Sequence, residues 1–393
     1  MANLPRVKIE YGNGALGQAI AGADGLLCLC VCGATAIAES FALAKQYSIR
    51  RPADLEELGI TGDNNALLFQ TVTDFYTEAQ EGTQVYIVGY PSTLKMSNVL
   101  DKNNPYLRNI IEATNGQLRG FVVTSVPGAQ PAVDGLDSDI PTAMLNGQAL
   151  CEWSKEIRYA PMFVILDGLG FTGDAQALKD LRTYSYNRVG VVIGSREAGA
   201  KNQAVGLIAG RIARASVDRN IGRVADGALN VLTIYVGDKP AELADTESIH
   251  NFSYMTFRTF TGMSGYYIAD DLLATKETDD YNHLTALRTI DKAARIAYAV
   301  LVSQVLDKVE VKSDGTMLQP ATVSWRQIVE NAIATNMTSM GELSDDGGDN
   351  GVECSIDPAQ NVLATSTINI ELRVRPFGYA RYINVMLGFT INE

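Results

Sequence analysis

Histidine is almost absent: the chain of 393 residues has two, His250 and His283. That scarcity removes most acid–base catalysis by imidazole and most metal sites built on it. Basic residues are also few, 32 Lys and Arg against 45 Asp and Glu, for a formal charge of -13. A nucleic-acid binder needs a strong basic footprint to displace counterions from phosphates, so that class is excluded, and an acidic exterior serves solubility instead. Long apolar runs are missing. The uncharged stretch 25–38 is shorter than the roughly 18 residues a membrane span requires, and Glu10 and Asp24 stand where a signal peptide carries positive charge. A cytoplasmic product without targeting signal or membrane insertion is expected.

Cysteine is sparse and oddly placed. Of five, Cys28, Cys30 and Cys32 alternate with Leu29 and Val31, so a strand puts all three on one face. Residues i and i+2 there lie roughly 6.5 Å apart, too far for the ~3.8 Å Cβ separation of a disulfide. With no second pair to complete a zinc set, they read as small buried hydrophobes in a reducing compartment. Catalytic motifs are missing as well: no nucleophile elbow, phosphate-binding loop, zinc-protease motif or paired-carboxylate motif occurs. Asp270, Asp271, Asp279 and Asp280 lie close in sequence and are expected to form a solvated acidic patch. In 341–351, Asp345, Asp346 and Asp349 suggest a calcium loop, but Gly347 and Asn350 occupy positions the calcium pattern forbids. No cofactor or metal is expected, and the absence of a catalytic constellation favours a structural role over an enzyme.

What is present is alternation. Apolar residues make up 46% and charged residues 20%, ordinary for a globular protein, and the length suggests two domains. Buried-strand patterns at 26–32, 84–88, 120–124, 162–166 and 189–193 are interleaved with helical patterns at 40–47, 54–58, 66–78, 105–115, 140–157 and 174–184. That is the signature of an α/β layer. Beyond a polar stretch at 237–246 the texture changes, with helices predicted over 284–309 and 324–337 and strands near the end. The expected organisation is an arm and glycine-rich linker at 1–25, an α/β domain at 26–236, an α+β domain at 237–378 and a terminal strand arm at 379–393.

Two glycine clusters invite a dinucleotide reading. Gly12, Gly14 and Gly17 fit G-x-G-x-x-G, but Gly22 and Gly25 break the helix that should follow. Gly168, Gly170 and Gly173 follow a predicted strand and precede a predicted helix, with Ser195, Arg196 and Glu197 near where ribose recognition would sit. A dinucleotide-binding oxidoreductase is therefore the alternative function; a tight βα turn with an aspartate at the helix start is the plainer one. Gly206 and Gly210 give a face for close helix packing. On the long helix, Leu287, Ile290, Ala294, Tyr298, Leu301 and Val305 form an apolar stripe. Beside it Arg288, Lys292 and Arg295 span about 60° of arc at roughly 100° per residue, a docking surface for an acidic partner.

The termini alternate at period two. Val7, Ile9 and Tyr11 do so at one end; Ile368, Ile370, Leu372 and Val374 do so before Pro376, and Ile383, Val385, Leu387, Phe389 and Ile391 after it. The segment before Pro376 is expected in the domain's own sheet, and the stretch from Tyr379 onward in a sheet of another molecule.

The chain resembles the contractile tail sheath proteins of Mu-like phages and related injection systems. The resemblance rests on Asn13-Gly14-Ala15-Leu16-Gly17 with Asp24-Gly25 before a buried strand, on Leu58-Gly59-Ile60-Thr61 followed by Thr73-Asp74-Phe75-Tyr76, and on the segment 206–219. It continues through the glycine and aromatic stretch 262–267 and the ending Arg375-Pro376-Phe377-Gly378-Tyr379. It implies a two-domain fold with extended terminal strand arms, and subunits stacked as hexameric rings around an inner tail tube. It further implies arms that add strands to neighbouring sheets, contraction as a switch between two packings, and baseplate and terminator proteins as further partners. On that basis the arms are Val7, Ile9, Tyr11, Ile383, Val385, Leu387, Phe389 and Ile391, and the tube-facing set is Arg288, Lys292 and Arg295. Assembly is expected in the bacterial cytoplasm, for use in a virion tail or injection particle.

Overall fold

Leu27, Leu29 and Val31 alternate with Cys28, Cys30 and Cys32, and all six are fully buried in strand β1 (Leu27–Cys32). A strand with no polar face must be covered on both sides, at about 1.5–3 kcal/mol for each large aliphatic side chain buried. The computed structural model, which describes residues 23–128 and 132–386, supplies that cover. β1 lies inside a sheet with β2 (Gln46–Ile49), β3 (Val85–Tyr90), β4 (Gly120–Ser125), β5 (Phe163–Asp167) and β6 (Val189–Val192), in the order β2-β3-β1-β4-β5-β6. All neighbours are parallel except β2, which runs antiparallel to β3 at the edge. The five parallel strands thus follow a doubly wound order. Helices α1 (Ala66–Ala79), α2 (Pro105–Ala113), α3 (Ile140–Arg158) and α4 (Val205–Arg214) cover it, α1 and α4 packing together and α2 packing on α3.

The α1–α4 contact explains the two helical glycines. A Cβ at Gly206 would sit 2.4 Å from the Thr71 carbonyl oxygen, and one at Gly210 would sit 2.3 Å from that of Phe75. The backbones touch, and charge is matched where they do. Arg211 donates to Glu78 at 2.6 Å and Arg196 to Asp74 at 2.8 Å.

Two expected helices are absent. Residues 40–47 instead form a tight bend, with Phe41 bridged to Ile37 and Ala44 at positive φ, and then enter β2. Pairing with the buried β3 overrides the local helical pattern. Over 174–184 stand two short 3₁₀ turns, Ala175–Ala177 and Leu181–Thr183. Asp174 and Asp180 each accept a backbone amide two residues on, from Gln176 and Arg182, so each aspartate starts its own turn and no continuous helix forms.

By compactness the chain divides into Met1–Asp291 and Lys292–Glu393, later than the boundary near residue 236 that the texture suggested. Residues 237–291 are built into the first unit: Met255 donates to Val191 and accepts from Ile193, and Ala274–Thr275 pairs with Ser185–Tyr186. The division falls within helix α5 (Leu284–Leu301), which gives way to a 3₁₀ turn, Val302–Gln304, short of its expected end. The second unit contains α6 (Gln319–Asn336) and an antiparallel ribbon of β7 (Val352–Ile356) and β8 (Ile370–Val374).

Candidate assembly surface

The ribbon has one apolar face. Val352 lies opposite Val374, Cys354 opposite Leu372 and Ile356 opposite Ile370, while Glu353, Ser355, Glu371 and Arg373 are exposed on the other side. Helix α6, with Val329 and Ile333 buried, packs against β7, whose Cys354 and Ile356 are buried too. The hydrogen-bonding parity follows from one contact: the Arg375 amide donates to the Gly351 carbonyl at 2.8 Å. Residues 353 with 373 and 355 with 371 are then the hydrogen-bonded pairs, and the backbone groups of Val352, Cys354 and Ile356, and of Ile370, Leu372 and Val374, point outward. On the β7 side Glu330 Oε1 accepts the Cys354 amide at 3.0 Å. On the β8 side no further strand pairs among the described residues. A two-stranded ribbon is marginal alone and gains from added strands.

The loop before it is held to the ribbon. Arg375 donates to both Asp349 oxygens, at 2.8 and 2.7 Å, and holds that carboxyl below its ordinary range. Asp346 accepts the Gly348 and Asp349 amides, and Asp349 that of Gly351. These turns use the acidic groups on the loop itself.

After Gly378 the chain leaves this sheet. Residues 379–386 form no strand, and Ile383 and Val385 are 77% and 74% exposed. Val7, Ile9 and Tyr11, and Leu387, Phe389 and Ile391, lie outside the described residues.

The basic stripe is broken up. Arg288 is 3% exposed, and its guanidinium donates to the carbonyls of Ile212, Ala215 and Ser216 at 3.2, 2.8 and 3.2 Å. It closes the C-terminal end of α4, where unpaired carbonyls and the helix dipole favour a cation, and so presents no tube-facing charge. Lys292 pairs with Glu342 at 2.6 Å, and Arg295 is half-buried. The apolar stripe divides likewise: Leu287 is buried, Tyr298 and Val305 are exposed. Nor are all four neighbouring aspartates a solvated patch, since Asp270 and Asp271 are buried beside His283.

The dinucleotide alternative fails on geometry. No α-helix follows Gly173 directly; only the three-residue 3₁₀ turn Ala175–Ala177 does, so the strand–turn–helix of the dinucleotide fingerprint is not formed. The Gly168 amide donates to Val192 and the Gly170 amide to Lys201, both within the fold. Arg196, placed for ribose recognition, pairs with Asp74. At the carboxyl ends of the strands, where doubly wound sheets take ligands, the buried Asp167 accepts from Thr124, Asn202 and the Gln203 amide at 2.6, 3.0 and 2.9 Å. Burial pushes its carboxyl up to about 7, against the pull of those bonds. The cavity beside it, lined by Lys95, Ser125, Asp137 and Asp139, is about 60 Å³, room for water only.

Solved structures share this fold over nearly the whole chain. A chain in the cryo-EM structure of the anti-feeding prophage baseplate, six-fold symmetrised, superposes with a TM-score of 0.65 at 15% identity, covering 100% of both chains. A chain of the contracted sheath complex of the PVC extracellular contractile injection system gives 0.60 at 15% identity, over 99% of this chain and 98% of that one. A sheath tail protein from Desulfitobacterium hafniense gives 0.48 at 10% identity, over 90% and 93%. The fold is one found in chains of contractile-injection particles. The chain belongs to the DUF2586 family, whose N-terminal domain matches residues 4–272 and whose C-terminal domain matches 280–393. No curated protein sequence matches it.

Proposed function

We propose that the chain is a structural, non-enzymatic subunit of a contractile tail sheath. Copies stack as hexameric rings around an inner tube, joined by strand-donating arms, and contract to drive that tube through a target envelope. The observation that carries this reading is the outward backbone edge at Ile370, Leu372 and Val374, followed in the same chain by the exposed alternating run at Ile383 and Val385. An unpaired edge and an exposed alternating segment in one subunit are complementary when copies meet. The fold shared with subunits of assembled injection particles supports the same reading.

In this reading the partners are further copies of the chain, the inner tube protein, and baseplate and terminator proteins, assembled in the bacterial cytoplasm. The arms are residues 1–25 and 379–393. Lys292 and Arg295 remain the tube-facing candidates. Electron microscopy of the purified chain tests the proposal: rings or striated tubes are expected, and a small soluble oligomer at every concentration and salt would overturn it.

A further inference from the structure

The start of helix α5 is fixed in the first unit by polar contacts of Thr285, Arg288, Thr289 and Asp291. The Thr285 amide donates to Asp271 Oδ2 at 2.7 Å, and the Thr285 hydroxyl bonds the same oxygen. Asp271 Oδ1 meets His283 Nδ1 at 2.9 Å, and the Asn220 amide group bridges Asp270 and Asp271 at 2.6 and 2.8 Å. Further along, Arg288 closes α4, and Asp291 takes a two-point contact from Arg188 at 2.9 and 3.0 Å. Asp270, Asp271 and His283 flank the connector between the two family domains. The connector is closed on itself there, with the Leu284 amide donating to the Asp271 carbonyl and that of Leu273 to Asn282.

Two buried carboxylates side by side repel unless a positive group joins them. We propose that Asp270, Asp271, Asn220 and His283 form a protonation-dependent clasp that fixes the first turn of α5, held tightest while the imidazole is charged and loosened when it is neutral. Burial alone lowers the proton affinity of His283, but its contacts to Asp270 and Asp271 outweigh that and raise it to about 9 from 6.5. Charged side chains on the flanking segments bond other groups: Glu277 with Arg182, Asp279 with Asn187 and Thr275, Arg219 and Arg223 with Asp226, and Arg288 with carbonyls. Asp218 stands on the segment before Asn220, and Asp270 and Asp271 are the charges that raise the imidazole. The stability the clasp contributes is complete below pH 6.5 and disappears as the pH rises through 9. Its consequence for a switching polymer rests on the sheath reading; the clasp itself does not.

With two histidines in the chain, imidazole NMR of the full-length protein gives two titrations, and His283→Gln identifies one by removing it. A midpoint near 9 is expected, with faster hydrogen exchange, corrected for intrinsic rates, in peptides covering 271–287 above it. His283→Gln should show that faster exchange already at pH 7. A midpoint near 6.5, or unchanged protection of this segment at pH 10 and in the folded Gln variant, overturns the clasp. Should His283→Gln fail to fold, Asp270→Asn serves: it should lower the His283 midpoint by about one unit, and an unmoved midpoint overturns the proposal.

Discussion

Two antiparallel edge strands end two sheets of this molecule, and they are treated in opposite ways. β2 at the edge of the large sheet spans Gln46–Ile49, and charge closes it off: Lys45 precedes it, Arg50 and Arg51 follow, and Asp54 accepts both of their amides at 2.7 and 3.2 Å. The cleft beside it, about 560 Å³, is lined by the pairs that close it, Arg51 with Asp54 and Glu57. β8 has Glu371 and Arg373 exposed on one face and Arg375 directly after it, but among the described residues no strand pairs with the outward backbone groups of Ile370, Leu372 and Val374. An edge closed off by charged turns resists pairing with another chain; one whose backbone groups stay open invites it. The same chain thus contains both treatments, and the open edge lies in the unit that carries the exposed residues Ile383 and Val385.

The strongest way to break this comparison is to remove the run. Truncation after Gly378 should leave both units folded, with unchanged circular dichroism, and abolish polymer in the electron microscope. Normal sheath-like polymers from that truncation would falsify the arm assignment. A finer test uses hydrogen-bond parity. Leu372→Pro removes an amide that points outward, so the ribbon should survive while the critical concentration for polymerisation rises about tenfold, or about 1.4 kcal/mol per subunit. Arg373→Pro removes an amide bonded to β7 and should unfold the ribbon itself, seen as a lower melting temperature of the C-terminal unit. Equal effects of the two prolines on stability would show that the outward edge is already paired within the subunit.

Much of this was legible in the sequence. The five buried parallel strands follow from apolar runs bounded by turn residues, helices α1 to α3 from their periodicity, and the close packing of α4 from the spacing of Gly206 and Gly210. The guarded edge was not: 40–47 looks helical until Tyr47 and Ile49 are needed opposite Ile87 and Val85 of β3, a demand that arises only in three dimensions. β7 was missed although Val352, Cys354 and Ile356 alternate, because the acidic loop before it drew the reading toward solvent. Charge spacing on α5 grouped Arg288, Lys292 and Arg295 but could not show that Arg288 turns inward to the carbonyls of α4. The clasp was hidden for the same reason, since Asn220 and His283 are distant in sequence and meet only in the fold.

A control for the edge experiments should weaken the first unit without touching either edge. Gly210→Ala places a methyl group against the Phe75 backbone at 2.3 Å, where the contact is to a carbonyl and not to a mobile side chain. A loss of about 1–3 kcal/mol is expected, read as a lower melting temperature with polymerisation retained below that temperature. Loss of assembly at full folding would instead make the α1–α4 face part of the interface and remove the contrast between the two edges.

The smallest expected effect is that of pH, and its sign is set by burial. Asp167 is raised to about 7 and Asp74 to about 6 from 3.8, in both cases by burial that its hydrogen-bond and charge partners offset only in part. A carboxyl with a raised folded value binds more protons folded than unfolded, so stability falls as the pH rises from 3.8 through these values. His283 continues the trend, losing its contribution between 6.5 and 9. Asp54 and Asp180, lowered by partners that outweigh desolvation, act only at the acid end, losing stability as the pH falls below 3.8. The first unit should therefore melt at progressively lower temperature from about pH 5 to pH 9, and His283→Gln should flatten the upper part of that slope. The C-terminal ribbon, whose ion pair of Arg375 with Asp349 is exposed and screened by salt, should show almost no slope over the same range. A rise in the first unit's melting temperature toward neutral pH would mean that its buried carboxyls are ionised at little cost, and that burial does not set the difference between the two units.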